Sequence, residues 1–486
     1  MTTTASNTSK SLRAFEDVPG PRRLPVLGNA LQLQPDRLHQ QLEAWCDEFG
    51  PMFRLQVGSR RLLVVGDHQV IATVLRDRPD GFRRTARLEE IWRDMGMPLG
   101  LFIVNGDTWK RQRRMVMAGF DPAHVRRYFP KLQGVAQRLV LRWKAADEID
   151  LQADLMRYTV DTIAGLAFGA EVNTLQSDGD VIQQHLDKIF PALFHRAIKP
   201  FSVAHRLPTR ANRELAESVK QVNLAVAGFV QQARARLQAN PALREHPTNL
   251  LEAMLAAADV PGSGMDDEQV AGNVLIMLLA GEDTTANTIA WMLHLLWRNP
   301  STLARAVAEV RSVMGDSDKF QELPSFEQIA QLDYIEACAH ETMRLKPVAT
   351  SIPQQALRDT PVGDVLVPKG VMVFPVMRRD CLRDDLVPRA AAFEPERWLA
   401  GASSSDAALS AQSVKRVSMP FGAGPRICPG RYLALMEMKM AMAVLLHNFD
   451  ITAVTTPDGQ EARELLAFTM QPVGLRMRLR ARQVDK

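Results

Sequence analysis

Cys428 stands in the glycine-rich run Phe421-Gly-Ala-Gly-Pro-Arg-Ile-Cys428-Pro-Gly430, directly ahead of a helix-like stretch, Arg431 to Asn448. A cysteine at a helix N-terminus faces unpaired backbone N–H donors and the positive end of the helix dipole. Both favour the thiolate, the form that ligates a metal. Gly422 and Gly424 give backbone freedom where a side chain would strike a flat ligand or break a tight turn. Arg426 places a fixed positive charge close by in sequence. The set suits a thiolate ligand to a bulky anionic cofactor, with haem as the candidate. A plain strand-to-helix turn carrying a chance cysteine is the competing reading. A zinc site needs several N or S ligands at short spacing, and the nearest other cysteine is the distant Cys381. A dinucleotide fingerprint fails because position 427, where its third glycine would fall, is isoleucine.

Three further groups carry chemistry. Ala280-Gly-Glu-Asp-Thr-Thr285 interrupts an otherwise apolar helical segment with small residues, acids and hydroxyls. A helical threonine can bond back to a carbonyl one turn earlier, and glycine adds nothing to hinder local distortion. The segment is either a close helix crossing with a satisfied polar patch or a groove for dioxygen beside a proton relay. Glu341 and Arg344 sit at i and i+3 on a helix that ends before Pro347; alone they read as an exposed ion pair of little worth. In Trp109-Lys-Arg-Gln-Arg-Arg114 an indole N–H and guanidinium groups can donate to carboxylates, although a basic helix face would look similar.

The elements that must position these residues are mostly helical. The pattern from Asp107 to about His340 is overwhelmingly α. The longest helix starts after an N-cap at Asp266, with Asp267 and Glu268 in its first turn, and ends before Pro300. At ~1.5 Å per residue it spans ~50 Å. Met52 to Val57 and Leu62 to Val65 read as a β-hairpin, and short β runs follow at Val371 to Val376 and Gly474 to Leu479. The expected class is mainly α with a smaller segregated β portion (α+β). A helix-rich core occupies about 107–350 and 428–450, and the β portion about 50–66, 350–377 and 455–480. Residues 1–17 read as a flexible tail and 18–486 as one domain, since no linker or repeat divides them.

Composition narrows the classes. With 46% hydrophobic and 23% charged residues the chain can bury a large core. A net charge of +4 over 486 residues is too small to argue for nucleic acid. Four scattered cysteines argue against a disulfide framework and for a reducing cytoplasm. The polar N-terminus lacks a signal-peptide core, and no run reaches the ~18 apolar residues of a spanning helix.

Taken together the motifs resemble those of the cytochrome P-450 superfamily. Phe421, Gly424, Arg426, Cys428 and Gly430 match its loop Phe-x-x-Gly-x-Arg-x-Cys-x-Gly at every fixed position. Ala280 to Thr284 match its oxygen-binding helix, and Glu341 with Arg344 its Glu-x-x-Arg helix. Phe393-Glu-Pro-Glu-Arg-Trp398 resembles that helix's partner, and Trp109 with Arg113 its Trp-x-x-x-Arg helix. The resemblance implies haem b with Cys428 as axial ligand. It implies Trp109, Arg113 and Arg426 as propionate donors, with Ala280 and Gly281 facing the haem. Thr284 would hydrogen-bond dioxygen, Asp283 would deliver protons, and Arg397 would complete a structural Glu341–Arg344–Arg397 network. The family often sets a second propionate arginine about seven residues after Pro347; here Gln354 or Gln355 occupies that region.

The implied activity is monooxygenation of a hydrophobic small molecule such as a fatty acid, terpenoid or steroid. Phe102 and Ile103 are candidate lining residues, with Phe190 to Phe194 and Phe201-Ser-Val as roof segments by location. The lead-in Val18-Pro-Gly-Pro21 and Pro429 resemble microsomal or fatty-acid-hydroxylase members, without their membrane anchor, as in a soluble bacterial-type protein. The chain ends about sixty residues after Cys428, so electrons are expected from a separate ferredoxin or flavodoxin-type donor. A peroxide-driven peroxygenase or isomerase on the same scaffold is the alternative enzyme, and a non-catalytic haem sensor the alternative class.

Overall fold

The computed structural model describes residues 12–170, 172–176, 181–199, 209–315, 322–399 and 414–482. Six helices matter most for the site: α1 (Gly106–Gly119), α2 (Leu151–Phe168), α3 (Val181–Ile198), α4 (Asp267–Arg298), α5 (Asp333–Leu345) and α6 (Arg431–Asn448). The long helix begins where its sequence says it should. The Asp266 carboxylate accepts from the Gln269 N–H at 2.8 Å, and the Gln269 side chain accepts from the Asp266 N–H at 3.1 Å, a reciprocal cap. Apolar on nearly every side, α4 runs through the interior packed on α2, α5 and α6. Met436, Met438, Met440 and Met442 of α6 are all buried in this same core, where flexible thioethers fill space.

The β portion is segregated, as expected. Strands β1 (Met52–Val57), β2 (Arg60–Val65), β3 (Phe82–Arg84), β4 (Gln354–Ala356) and β5 (Met372–Pro375) form one sheet in the order β1-β2-β5-β4-β3. Only the β2–β5 pair is parallel; in the antiparallel β3–β4 pair Arg84 lies directly opposite Gln354. A separate antiparallel pair, β6 (Glu464–Leu466) and β7 (Met470–Pro472), is joined by a turn at Ala467, Phe468 and Thr469. No helix among the described residues is long and apolar enough to cross a membrane, and all four cysteines are free.

The expectation of a flexible tail over 1–17 does not hold for residues 13–17. Arg13 and Ala14 pair in parallel with Val365 and Leu366, the Arg13 N–H donates to the Asp364 carbonyl at 2.8 Å, and Phe15 is buried. The apolar Phe15 and Val18 dock into a satellite cluster with Leu63 and Val65, which is what ties this segment down.

Glu341, Arg344 and Arg397 form a fully buried network rather than a surface pair. Arg344 donates to both Glu341 oxygens at 2.7 and 2.8 Å, Arg397 donates to Glu341 at 3.2 Å, and the Trp398 indole donates at 2.9 Å. The remaining guanidinium hydrogens go to the carbonyls of Cys381, Ala390 and Ala392, so both charge and donors are satisfied. Cys381 and Ala390 in turn pack with Val414 and Val417, just ahead of the Cys428 loop. The network therefore braces that loop through an apolar intermediary. Removing one member of a buried set strands the others: Glu341→Ala should cost about 3–5 kcal/mol of stability in denaturant unfolding, whereas Glu214→Ala, which breaks the exposed Arg210–Glu214 pair, should leave the midpoint nearly unmoved.

Candidate functional site

Cys428 sits two residues ahead of Gly430, the N-cap of α6, whose first residue is Arg431. Its N–H donates to the Phe421 carbonyl at 3.0 Å, closing the loop. Gly424 has φ +70°, and a Cβ there would lie 2.6 Å from the Leu75 carbonyl oxygen, so this glycine serves a tight turn against neighbouring backbone. Burial pushes the Cys428 thiol up, while the Gly430 N–H, Arg113 and Arg431 pull it back. A metal on the sulfur would displace the proton outright.

The expected propionate donors converge on this loop. The Arg426 guanidinium lies 4.9 Å from the centre of the Trp109 ring and donates to the Val104 carbonyl. Arg113 lies within electrostatic reach of Cys428. Lys110 and Arg114 of α1 are exposed, which fits the plain basic-face reading for them.

One residue that no motif singled out joins the cluster. Arg84 is buried, its guanidinium lies 4.2 Å from the centre of the Phe102 ring, and its Nε has no partner. The Arg426 Nε is likewise unpartnered. Burial, Arg78 and Arg426 hold Arg84 well below the ordinary arginine range, and burial with Arg78, Arg113 and Arg83 brings Arg426 down to about 9. Burial lowers Arg78 to about 10. Among the described residues no carboxylate pairs with Arg84, Arg113 or Arg426. An anion from outside the chain would compensate such a cluster. A dianionic macrocycle carrying a metal meets both demands, cations for its carboxylates and a sulfur for its metal. The residues present fit haem b.

The two glutamines separate cleanly. Gln355 is occupied structurally, accepting from the Ala86 N–H and donating to the Gly370 carbonyl, both at 3.0 Å. Gln354 is fully buried, donates to the Ile352 carbonyl at 2.9 Å and leaves its Oε1 unpartnered opposite Arg84. The missing charge is thus present on the adjoining strand. A reading of β3 against β4 in register could have found it; a linear motif could not.

On α4, Ala280 is exposed in the middle of a buried helix, so α4 borders a cleft there. The Thr284 hydroxyl donates to the Ala280 carbonyl at 2.7 Å. Gly281 does not point into that cleft: a Cβ on it would lie 2.6 Å from Ile163 of α2, so this glycine permits a close helix crossing. That corrects the expectation that it faces the haem. Asp283 is buried. Its Oδ1 accepts from Asn287 at 2.7 Å and its Oδ2 from the Thr469 hydroxyl. Burial raises it to about 6, opposed by those two hydrogen bonds and assisted by the like charge of Asp187.

Phe102 stands 6.4 Å from Phe468, which stacks on Phe190 at 4.6 Å. Ile103 is fully buried in the main core, which argues against the lining role expected for it. Phe201 to Val203 lie outside the described residues. Arg426 lies within electrostatic reach of Arg84, and ring and hydrogen-bond contacts run on from Arg84 through Phe102 and Phe468 to Thr469 and Asp283.

A family model for cytochrome P450 matches residues 18–478, and the chain belongs to that family. The cofactor of the family is haem b, in agreement with the cation cluster and Cys428. The chain is 27% identical over 477 residues to a self-sufficient cytochrome P450 monooxygenase of Aspergillus niger, covering 96% of this chain and 43% of that one. It is 29% identical over 486 residues to a self-sufficient cytochrome P450 monooxygenase of Exserohilum turcicum, covering 97% and 43%. A bifunctional cytochrome P450/NADPH–P450 reductase of Bacillus subtilis is 27% identical over 478 residues, covering 96% and 43%. The chain spans less than half the length of these curated relatives.

If Arg84 carries part of the charge demanded by the cofactor, Arg84→Leu should release haem to apomyoglobin roughly tenfold faster than wild type, the cost of a charge-assisted hydrogen bond. Arg84→Lys should lie between them, and an unchanged rate for Arg84→Leu would remove Arg84 from the site.

Proposed function

We propose that this chain is a haem-thiolate monooxygenase acting on a hydrophobic small molecule of the fatty-acid, terpenoid or steroid type. The continuous path from the thiol and its cation cluster, through an aromatic cleft, to a buried acid and a threonine supports the reading best. Ligated by Cys428, haem would supply reductive activation of dioxygen, so that R–H, O2, two electrons and two protons become R–OH and water.

The chain's own residues do the rest. Trp109, Arg113, Arg426 and Arg84 bind and orient the propionates. Thr284 gives its hydrogen to the Ala280 carbonyl, which leaves its oxygen free to accept a proton-bearing partner in the cleft. Asp283, titrating at about 6, can both hold and give up a proton near neutral pH. Phe102, Phe190 and Phe468 present ring faces and edges to an apolar substrate. A plain peroxygenase or isomerase has no use for an acid poised beside the threonine.

For electrons we propose a separate ferredoxin or flavodoxin-type donor, drawn by exposed Lys110 and Arg114 on the α1 side. The relatives described as self-sufficient, or as bifunctional with a reductase, make a reductase in the same polypeptide the competing source. A reducing cytoplasm is the proposed location, in keeping with free, mostly buried cysteines.

The reduced protein under carbon monoxide should show the strongly red-shifted Soret band of thiolate ligation, and Cys428→Ala should lose both the band and turnover. In Thr284→Ala product should fall by roughly tenfold or more while reduced nicotinamide is still consumed. Undiminished product in that variant would turn the assignment to the peroxide-driven or isomerase reading.

A further inference from the structure

The two oxygens of Asp283 are held in different ways. Oδ1 accepts from Asn287, one turn further along the same helix, so this contact stays within α4. Oδ2 accepts from Thr469, which belongs to the turn between β6 and β7. That turn is the one described element outside α4 that grips the acid by a hydrogen bond.

The residue before Thr469 is unusual. Phe468 has φ +92°, a left-handed value that costs a residue with a Cβ, and surrounding contacts must hold it there. Those contacts are ring contacts: a near-parallel stack on Phe190 of α3, with an 8° angle between the rings, and an edge approach to Phe102. Neither partner is on the hairpin. The far side of the turn is anchored where the Met470 N–H donates to the Val348 carbonyl at 2.8 Å. A molecule that wedges between the rings must part Phe468 from Phe190. The strained residue can then relax, and the adjoining Thr469 hydroxyl shifts relative to a stationary Asp283.

We propose that the Phe468–Thr469 turn makes the aim and protonation of Asp283 depend on what occupies the aromatic cleft. Thr469 is a positioning residue, and Phe468 is the side chain through which an apolar chain or ring in the cleft acts on it. The proposal rests on the monooxygenase reading for its purpose. A proton relay released only when the cleft is filled would deliver protons when there is a substrate to oxidise.

The groups facing Asp283 bear on the sign. Asn287 and Thr469 are neutral donors that favour the carboxylate. Asp187, on α3 and three residues from Phe190, is a like charge on the same helix face that favours the protonated form. Loss of the Thr469 bond therefore moves Asp283 towards its protonated state.

Infrared titration of the Asp283 carboxyl band, assigned by its loss in Asp283→Asn, tests this without turnover. Thr469→Val should raise the midpoint by about half to one pH unit, and Thr469→Ser should restore it. In the wild-type holoenzyme N-dodecylimidazole, whose chain must enter the cleft, should raise the midpoint, whereas imidazole alone should not. In Thr469→Val the two ligands should give the same midpoint. Equal midpoints with both ligands in the wild type would overturn the coupling even if Thr469→Val does not fold. An unmoved midpoint in Thr469→Val would overturn the tether. Neither result would touch the monooxygenase reading, which the carbon monoxide band and product formation decide separately.

Discussion

The structure depends on an electrostatic debt in its interior. Arg84, Arg113 and Arg426 lie within electrostatic reach of one another or of the Cys428 thiol, no carboxylate among the described residues pairs with them, and two of the guanidinium groups leave a buried nitrogen unpartnered. Burying charge without a partner is among the least favourable things a fold can do, and several buried charges of this molecule are paired. Glu341 with its two arginines is one example, and Arg378 between Glu43 and Glu464 is another. The arginine cluster differs from these sets in having several cations and no carboxylate among the described residues. A dianionic, metal-bearing cofactor completes the interior, and the fold is in that sense a holo-fold.

The rest of the architecture keeps that arrangement in place. The N-cap end of α6 fixes the sulfur, the five-stranded sheet brings Arg84 to its edge, and the Glu341 network holds the segment that packs ahead of the cysteine loop. On the other side, α4 is rigid because it is apolar all round, with reciprocal capping at Asp266. Its polar interruption divides the labour. Gly281 brings α2 close, Ala280 opens the cleft, Thr284 bonds back along the helix, and Asp283 reaches out to the β6–β7 turn. The small-residue stretch thus serves helix crossing and chemistry at the same time, at different residues.

Much of this was legible in the chain. Local rules gave both ends of α4 within a residue, the Met52–Val57 hairpin strand, and the helix that follows Cys428, because capping and turn chemistry act over a few neighbours. Long fixed patterns placed Cys428, Trp109, Arg113, Arg426, Asp283, Thr284 and the Glu341–Arg344–Arg397 set. What escaped was set by register and tertiary contact. Arg84 stands opposite the uncharged Gln354 only through antiparallel pairing, far apart in sequence. Thr469 reaches Asp283 across a comparable separation. Ile103 and Phe102 are neighbours of similar hydrophobicity, and only packing decides that one enters the core while the other meets Arg84 and Phe468. Residues 13–17 read as a tail because Phe15 gives no periodic signal; its burial depends on a satellite cluster assembled from remote strands.

The claim that buried cations await a dianion can be tested by removing the anion and keeping the ring. Apoprotein is reconstituted with haem and, separately, with haem dimethyl ester, whose propionates carry no charge, and the thermal unfolding midpoints are compared. The account predicts that haem stabilises far more than the ester, and that the gap narrows in the Arg84→Leu, Arg426→Leu double variant. Equal stabilisation by haem and its ester in the wild-type protein would contradict it.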